Sequence, residues 1–364
     1  MRHRYVSLLF VLAIYWLSNL AVSAQFEMRD DRSITAFEAY KALPRAHTIT
    51  GVHQHKQLNG LDCGPASVEI VFDYWGIDID QKAIADVART SSIGTWTWDI
   101  VRTGHFSYMS TAQGRFFPHD APTAGFPERP VGYASFSYSS NGFWWADLKG
   151  LIASDIPVIL LMKYAPDDSK GHYRVIVGYD ENKGVVYFMD PWDRGMGKLT
   201  NPDGTLTWTM ADFESAWNYA EYGTIKPYWG AVIMPWSISL HTTRKTSPGS
   251  VISVTAVITY PCPKPFDCSA YPAYNAYAEI SLPPGMKLLG GSTIINIGGL
   301  SAGKSCTVSW NVKLEKDGTG SSITISAGGT VSDSVPEANW KGNGVYYPPY
   351  GYTDGIGGVM TITL

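Results

Sequence analysis

The sequence predicts two folded units in series, an α+β domain reaching to about Trp236 and an all-β unit over 237–364. Up to Trp236 helical and extended hydrophobic patterns are mixed, whereas beyond it apolar and polar residues alternate almost strictly. The length of 364 residues suggests two domains on ordinary domain sizes. Only 16% of residues are charged against 13% aromatic and 45% hydrophobic, so both units have material for packed cores and disorder is disfavoured.

The N-terminus has the form of a secretory signal peptide over residues 1–24. A basic "MRHR" precedes the apolar "YVSLLFVLAIYWLSNLAV", and "VSA" places a cleavage point between Ala24 and Gln25. The alternative is an uncleaved anchor helix, since the run is nearly long enough to span a bilayer. Residues 25–50 form an N-terminal arm or a pro-region, and no later segment is apolar for long enough to cross a membrane. A secreted or cell-surface location is therefore expected. The net charge of −4 becomes −6 once Arg2 and Arg4 leave with the signal, which argues against a nucleic-acid partner.

The C-terminal unit reads as strands. In "SVISVTAVITY" Ile252, Val254, Ala256, Ile258 and Tyr260 share one face. In "SCTVSWNVKL" Cys306, Val308, Trp310, Val312 and Leu314 do the same. With "SITISAGG", "VMTITL" and Gly/Pro-rich turns between them, these strands predict an immunoglobulin-like sandwich of roughly 125 residues. Cys306 falls on the apolar face of its strand, and Cys262 and Cys268 bracket a short loop and are expected to be bonded to each other. The tyrosine-rich "NGVYYPPYGYTDG" is a packing segment or a face for carbohydrate or cell-surface contact.

That leaves Cys63 to be explained. In "LDCGPASVEIVFDYWG", Val68, Val71, Phe72 and Trp75 form the apolar stripe of a helix. Pro65 suits its first turn and Gly76 its end. Cys63 then sits at the positive end of the helix dipole, where free N–H groups favour a thiolate and lie near any carbonyl the sulfur attacks.

A nucleophilic sulfur needs a base, and eight histidines are available. His53 and His55 invite a metal reading, but with no further clustered ligand they are expected to be solvent-exposed loop residues. His47 precedes the globular pattern, and His105, His119 and His241 have no visible partner. His172 opens the strand of a hairpin, "GHYRVIVGYD-ENKG-VVYFMDPW", that folds near residues 182 and 183. Paired positions should sum to between 364 and 366. An even sum makes Asp190 a diagonal neighbour of His172, about 7–8 Å away. An odd sum favours Asp193, and the turn alone does not fix the register.

These segments, with "PVILLMKY" and "ADFESAW" before "GAVIMPW", resemble the C39-like branch of the papain-like cysteine peptidases across roughly residues 50–236. The resemblance implies an α+β papain-like peptidase domain over 51–236. It implies Cys63 as nucleophile, His172 as general base and acid, and Asp190 as orienter, the Asp-Pro wording selecting Asp190. It also implies Gln57, six residues before the cysteine, as second oxyanion donor, with Gln54 as a decoy. No cofactor or metal is implied. No transmembrane or ATPase machinery accompanies the domain, so leader removal during export is not supported. The Gly-, Pro- and aromatic-rich segment 91–130 either shapes a cleft or packs over the core. The expected function is a secreted cysteine hydrolase of peptide or amide bonds acting on a peptide or protein. The alternative is a catalytically silent binding or adhesion module, which has no need of all four residues. A cell-wall amidase ranks lower, because "DCGP" stands where those enzymes typically carry "DCSG".

Overall fold

The computed structural model describes residues 28–30, 43–111, 126, 129–192, 204–220, 226–243, 245–335, 338–339, 346–347 and 350–364. The signal segment, Asp193 and His119 lie outside them.

In chain order the first half comprises β1 (Met28–Asp30), β2 (Ala46–Thr48), α1 (Cys63–Tyr74), α2 (Gln81–Val87), α3 (Thr97–His105), β3 (Ala134–Tyr138), α4 (Trp145–Ala153), β4 (Val158–Lys163), β5 (Gly171–Asp180), β6 (Val185–Met189), β7 (Thr205–Thr209), α5 (Met210–Trp217) and β8 (Trp229–Met234). The second half comprises β9 (Ser237–Thr242), β10 (Val251–Thr259), β11 (Ala273–Ser281), β12 (Met286–Leu288), β13 (Ile294–Leu300), β14 (Lys304–Leu314), β15 (Ser322–Val335), the short pair β16 (Ala338–Asn339) and β17 (Tyr346–Tyr347), and β18 (Tyr350–Thr363).

The helices gather on a seven-stranded antiparallel sheet of order β3-β8-β4-β5-β6-β7, with β2 pairing β5. Its central strands are buried over Val158–Met162 and Tyr173–Tyr179 because both faces are covered, and these stretches are apolar but for Arg174. Helix α5 locks onto the sheet through Trp217, whose indole N–H donates to the Trp229 carbonyl at 2.8 Å. Trp144 donates likewise to the Tyr228 carbonyl at 2.6 Å.

Among the described residues the second half builds two larger antiparallel sheets beside the short β16-β17 pair. One has the order β1-β14-β10-β9 with β12 also on β14, and the other β13-β11-β15-β18. The alternation expected for β10 and β14 holds, with Ile252, Val254, Ala256 and Ile258 facing inward beside Cys306, Val308, Trp310 and Val312. On the opposite face the hydroxyls of Thr255 and Ser309, directly paired across the strands, meet at 2.9 Å. Cys262 and Cys268 form the expected disulfide, and Cys306 is a buried free thiol.

The two halves share one core. Tyr260 stacks on Trp236 at 5.0 Å, and its ring also lies 6.0 Å from Phe136. Strand β18 runs against the first half, with Gly357 N–H donating to the Gly132 carbonyl at 2.9 Å and Trp236 N–H to the Gly357 carbonyl at 3.0 Å. A Cβ on Gly358 would sit 2.2 Å from the Trp236 carbonyl oxygen, so only glycine allows this approach. Tyr352, from the tyrosine-rich segment, is buried with its hydroxyl 3.0 Å from His105 Nδ1, so this member of the segment packs. His105 thus has the partner its sequence context hid, and its other ring nitrogen accepts the Ser135 N–H. Of segment 91–130, the described part packs over the core through Trp96, Ile100, Val101 and Phe106. Among the described residues no helix is long and apolar enough to cross a membrane.

Candidate active site

Helix α1 begins at Cys63 itself, and its stripe of Val68, Val71 and Phe72 is fully buried. It packs on β5, which brings the helix mouth over the start of that strand, where His172 is the second residue. The approach is close. A Cβ on Gly64 would lie 2.9 Å from Thr95 Cβ and 3.1 Å from Ile100 Cδ1, so the residue after Cys63 has no room for a side chain. Thr95 is fixed in turn by Tyr173, whose hydroxyl donates to its carbonyl at 2.9 Å.

His172 is buried, and its Nε2 lies 2.7 Å from Asp190 Oδ1. Its charge is coupled to that of the Cys63 side chain, close enough for each to shift the other. The hairpin register explains the choice of carboxylate. Beside the turn Asp180 pairs Val185 and Gly178 pairs Tyr187, an odd sum, but Ile176 pairs Phe188 and Val175 pairs Met189, an even one. The shift is a β-bulge at Val177, whose carbonyl accepts the Ile49 N–H at 2.8 Å. Past the bulge, Asp190 stands diagonal to His172.

Arg174 shares a strand face with His172 and was not singled out in the sequence. Its Nε donates to Asp190 Oδ2 at 2.7 Å, and its two terminal nitrogens donate to the carbonyls of Lys163 and Tyr164 at 3.1 and 2.8 Å. The guanidinium is fully buried and lies 4.7 Å from the Trp208 ring centroid. An arginine in the otherwise apolar run "YRVIVGY" was the available signal.

The sequence model of the "Peptidase_C39 like family" matches residues 49–225. By this match residues 49–225 read as a C39-like cysteine peptidase segment. Among solved structures the chain is similar to Xylellain, a cysteine protease from Xylella fastidiosa, at 13% identity over 54% of this chain and 88% of that one, with a TM-score of 0.38. It is also similar to the peptidase domain of Streptococcus ComA, described as a bi-functional ABC transporter involved in a quorum sensing pathway. There the identity is 15% over 50% of this chain and 98% of that one, TM-score 0.32. A double glycine motif protease from an AMS/PCAT transporter, in complex with the leader peptide, gives 13%, 51%, 96% and 0.30. No curated protein matches the chain.

Within the C39-like domain the charges are coupled. Burial pushes the Cys63 thiol up, but the hydrogen bond and charge of His172 outweigh it, helped by the backbone N–H groups of Tyr173 and Gly64, and the net direction is down. Burial works against charging His172, Asp190 works for it and Arg174 against it, and the net direction is up. The two shifts run toward one another, and the coupled pair titrates as a unit. Burial also works against charging Asp190, yet Arg174 and then His172 hold its carboxyl far below the usual range. A depressed carboxylate contributes stability above its unfolded value near 3.9 and loses it only as pH falls through the folded value. Mild acid leaves this ion pair intact.

The loop ahead of Cys63 is tied to the same place. Gln57 N–H donates to the Pro191 carbonyl at 2.9 Å, and the Gln54 amide donates to the Asp190 carbonyl. Gln54, set aside as a decoy, thus anchors the third residue of the cluster. The Gln57 side-chain nitrogen donates to the Asn59 carbonyl at 2.6 Å, while its Oε1 is buried without a partner.

His55 corrects another expectation. It is partly buried and lies 3.4 Å from Glu69 and 3.3 Å from Asp73 on the flank of α1. The Glu69 hydrogen bond, opposed by burial and aided by Asp73, raises its pKa to about 9. His47, too, is inside the fold, on β2 and 2.8 Å from Asp155. Because the folded His55 value is raised, its contribution is complete below pH about 6.5 and lost as pH rises through about 9. The urea midpoint should fall between pH 7 and 10 more in the wild type than in His55→Gln. Equal slopes would mean that His55 carries no such charge. Among the described residues no cluster of His, Cys, Asp and Glu could hold a metal ion.

Proposed function

We propose that this protein is an exported hydrolase that cleaves peptide or amide bonds by acyl transfer through Cys63, His172 and Asp190. The observation that carries the reading is the meeting of Cys63 and His172, distant in the chain, close enough for each to shift the other's charge, with His172 Nε2 on Asp190. The thiolate attacks the carbonyl carbon, a C–S bond forms, and the oxyanion faces the Cys63 N–H at the mouth of α1. His172 gives its proton to the leaving amine as the C–N bond breaks. It then takes a proton from the water that hydrolyses the thioester, releasing the acid and restoring the thiolate–imidazolium pair. Asp190 holds the imidazole in position throughout. Gln57 supplies the second oxyanion donor once its amide turns away from the Asn59 carbonyl. Export is directed by residues 1–24, leaving an arm that ends before β2, a peptidase domain that takes in β2 and reaches 236, and 237–364 as a second domain. In that domain the two sheets close into an immunoglobulin-like sandwich available for carbohydrate or cell-surface contact.

The two free thiols allow a test without a known substrate. Iodoacetamide at pH about 6, where an ordinary thiol is almost wholly protonated, should label Cys63 and leave buried Cys306 untouched. Peptide mapping reads this directly, and a Cys63 that stays unlabelled until alkaline pH would refute the activated nucleophile. Cleavage of a peptide library by the purified protein then identifies the substrate. The N-terminal sequence of the exported form should begin at Gln25.

A further inference from the structure

The triad contains one charge more than its chemistry uses. A catalytic cysteine and histidine at rest carry −1 and +1, and an orienting acceptor needs only lone pairs. Here the orienter is a carboxylate, which alone would leave a buried site with a net negative charge. We infer that Arg174 is a positioning residue that neutralises Asp190, so that Cys63, His172, Asp190 and Arg174 together form a buried cluster of zero net charge in the reactive state. This rests on the triad proposed above.

The geometry supports a role for the charge as well as for the bonds. Arg174 is fully buried with every nitrogen spoken for: Nε on Asp190 Oδ2, the terminal nitrogens on the carbonyls of Lys163 and Tyr164. The two Asp190 oxygens divide their work, Oδ1 taking His172 and the Trp192 N–H, Oδ2 taking Arg174. Trp208 covers the guanidinium and the Tyr164 ring lies 5.4 Å from the imidazole, so little water screens the cluster. The charged or titratable groups facing Arg174 are Asp190, His172 and Tyr164, with Cys63 behind His172.

The sign of the effect follows from charge counting. With Arg174 present, forming the thiolate takes the cluster from +1 to 0, and removing the imidazolium proton takes it from 0 to −1. Without that cation the same two steps run from 0 to −1 and from −1 to −2. Both are harder in a buried site, and both titrations move to higher pH.

The test is the pH dependence of Cys63 alkylation by iodoacetamide, which rises in one step as the ion pair forms and in a second as the imidazolium loses its proton. In Arg174→Gln, neutral but still a donor, both midpoints should rise by about one pH unit. Arg174→Lys keeps the charge while losing the fork of bonds, and its midpoints should stay near those of the wild type. If the glutamine variant does not fold, Arg174→Met, whose side chain also lies against Trp208, reads the same midpoints. A lower rate at every pH with unmoved midpoints in the neutral variants would reduce Arg174 to a structural prop and overturn the inference. A wild-type profile with the single step of an ordinary thiol would instead overturn the triad.

Discussion

Replacing Cys63 with alanine should reduce turnover by roughly 10⁴-fold or more while leaving thermal unfolding nearly unchanged. The two halves of this expectation have separate causes. The sulfur is the atom that would form the acyl bond, and alanine offers nothing in its place. The residue is nevertheless only half-buried at a helix mouth, and the packing of α1 comes from Val68, Val71 and Phe72, which the substitution does not touch. The measurement is hydrolysis of a library-derived peptide beside a thermal melt of the same preparation. Retained hydrolysis would remove Cys63 from the mechanism. Joint loss of activity and of the folded state would leave stability as the cause.

Asp190→Ala should be costly on both counts, and this separates it from Cys63→Ala. Asp190 is the only carboxylate in the ion pairs described for Arg174, and the pair is buried. Removing one partner of a buried pair leaves an uncompensated charge and costs about 3–5 kcal/mol. The same substitution releases the imidazole from its acceptor, for which a loss of roughly 10⁴-fold in kcat is the expected order. Urea denaturation at pH 7 reads the first effect and peptide hydrolysis the second. Asp190→Ala combined with Arg174→Met removes both charges and should recover most of the stability without recovering activity. If the double variant is no more stable than the single one, the cost lies in packing or in the Trp192 N–H bond to Asp190, and not in the orphaned guanidinium.

The second half is more than an appendage on a linker. Strand β18 makes backbone hydrogen bonds to Gly132 and Trp236, and the buried His105–Tyr352 contact ties it to helix α3. That helix begins just after Thr95, the residue wedged against Gly64 beside Cys63. A continuous path of packed residues therefore runs from the C-terminal sheets to the mouth of α1.

Much of this was legible in the chain alone. Apolar spacing placed α1 and its start at Cys63, because a helical stripe and its caps are set by residues within a few turns of one another. Period-2 alternation placed β10 and β14 and the inward face of Cys306 for the same local reason. The family resemblance selected Cys63, His172 and Asp190, but residue spacing alone left Asp190 and Asp193 as equal partners for His172. Tertiary structure placed Asp190 against His172, because the bulge at Val177 changes the register by one residue where the Ile49 N–H draws off the Val177 carbonyl. It also decided that His55 and His105 are held inside the fold, that Gln54 reaches Asp190, and that Arg174 lies against the same carboxylate as His172. Periodicity is a property of neighbours along the chain. Register, convergence and charge balance arise only when distant segments pack, and there the sequence by itself names the candidates without choosing among them.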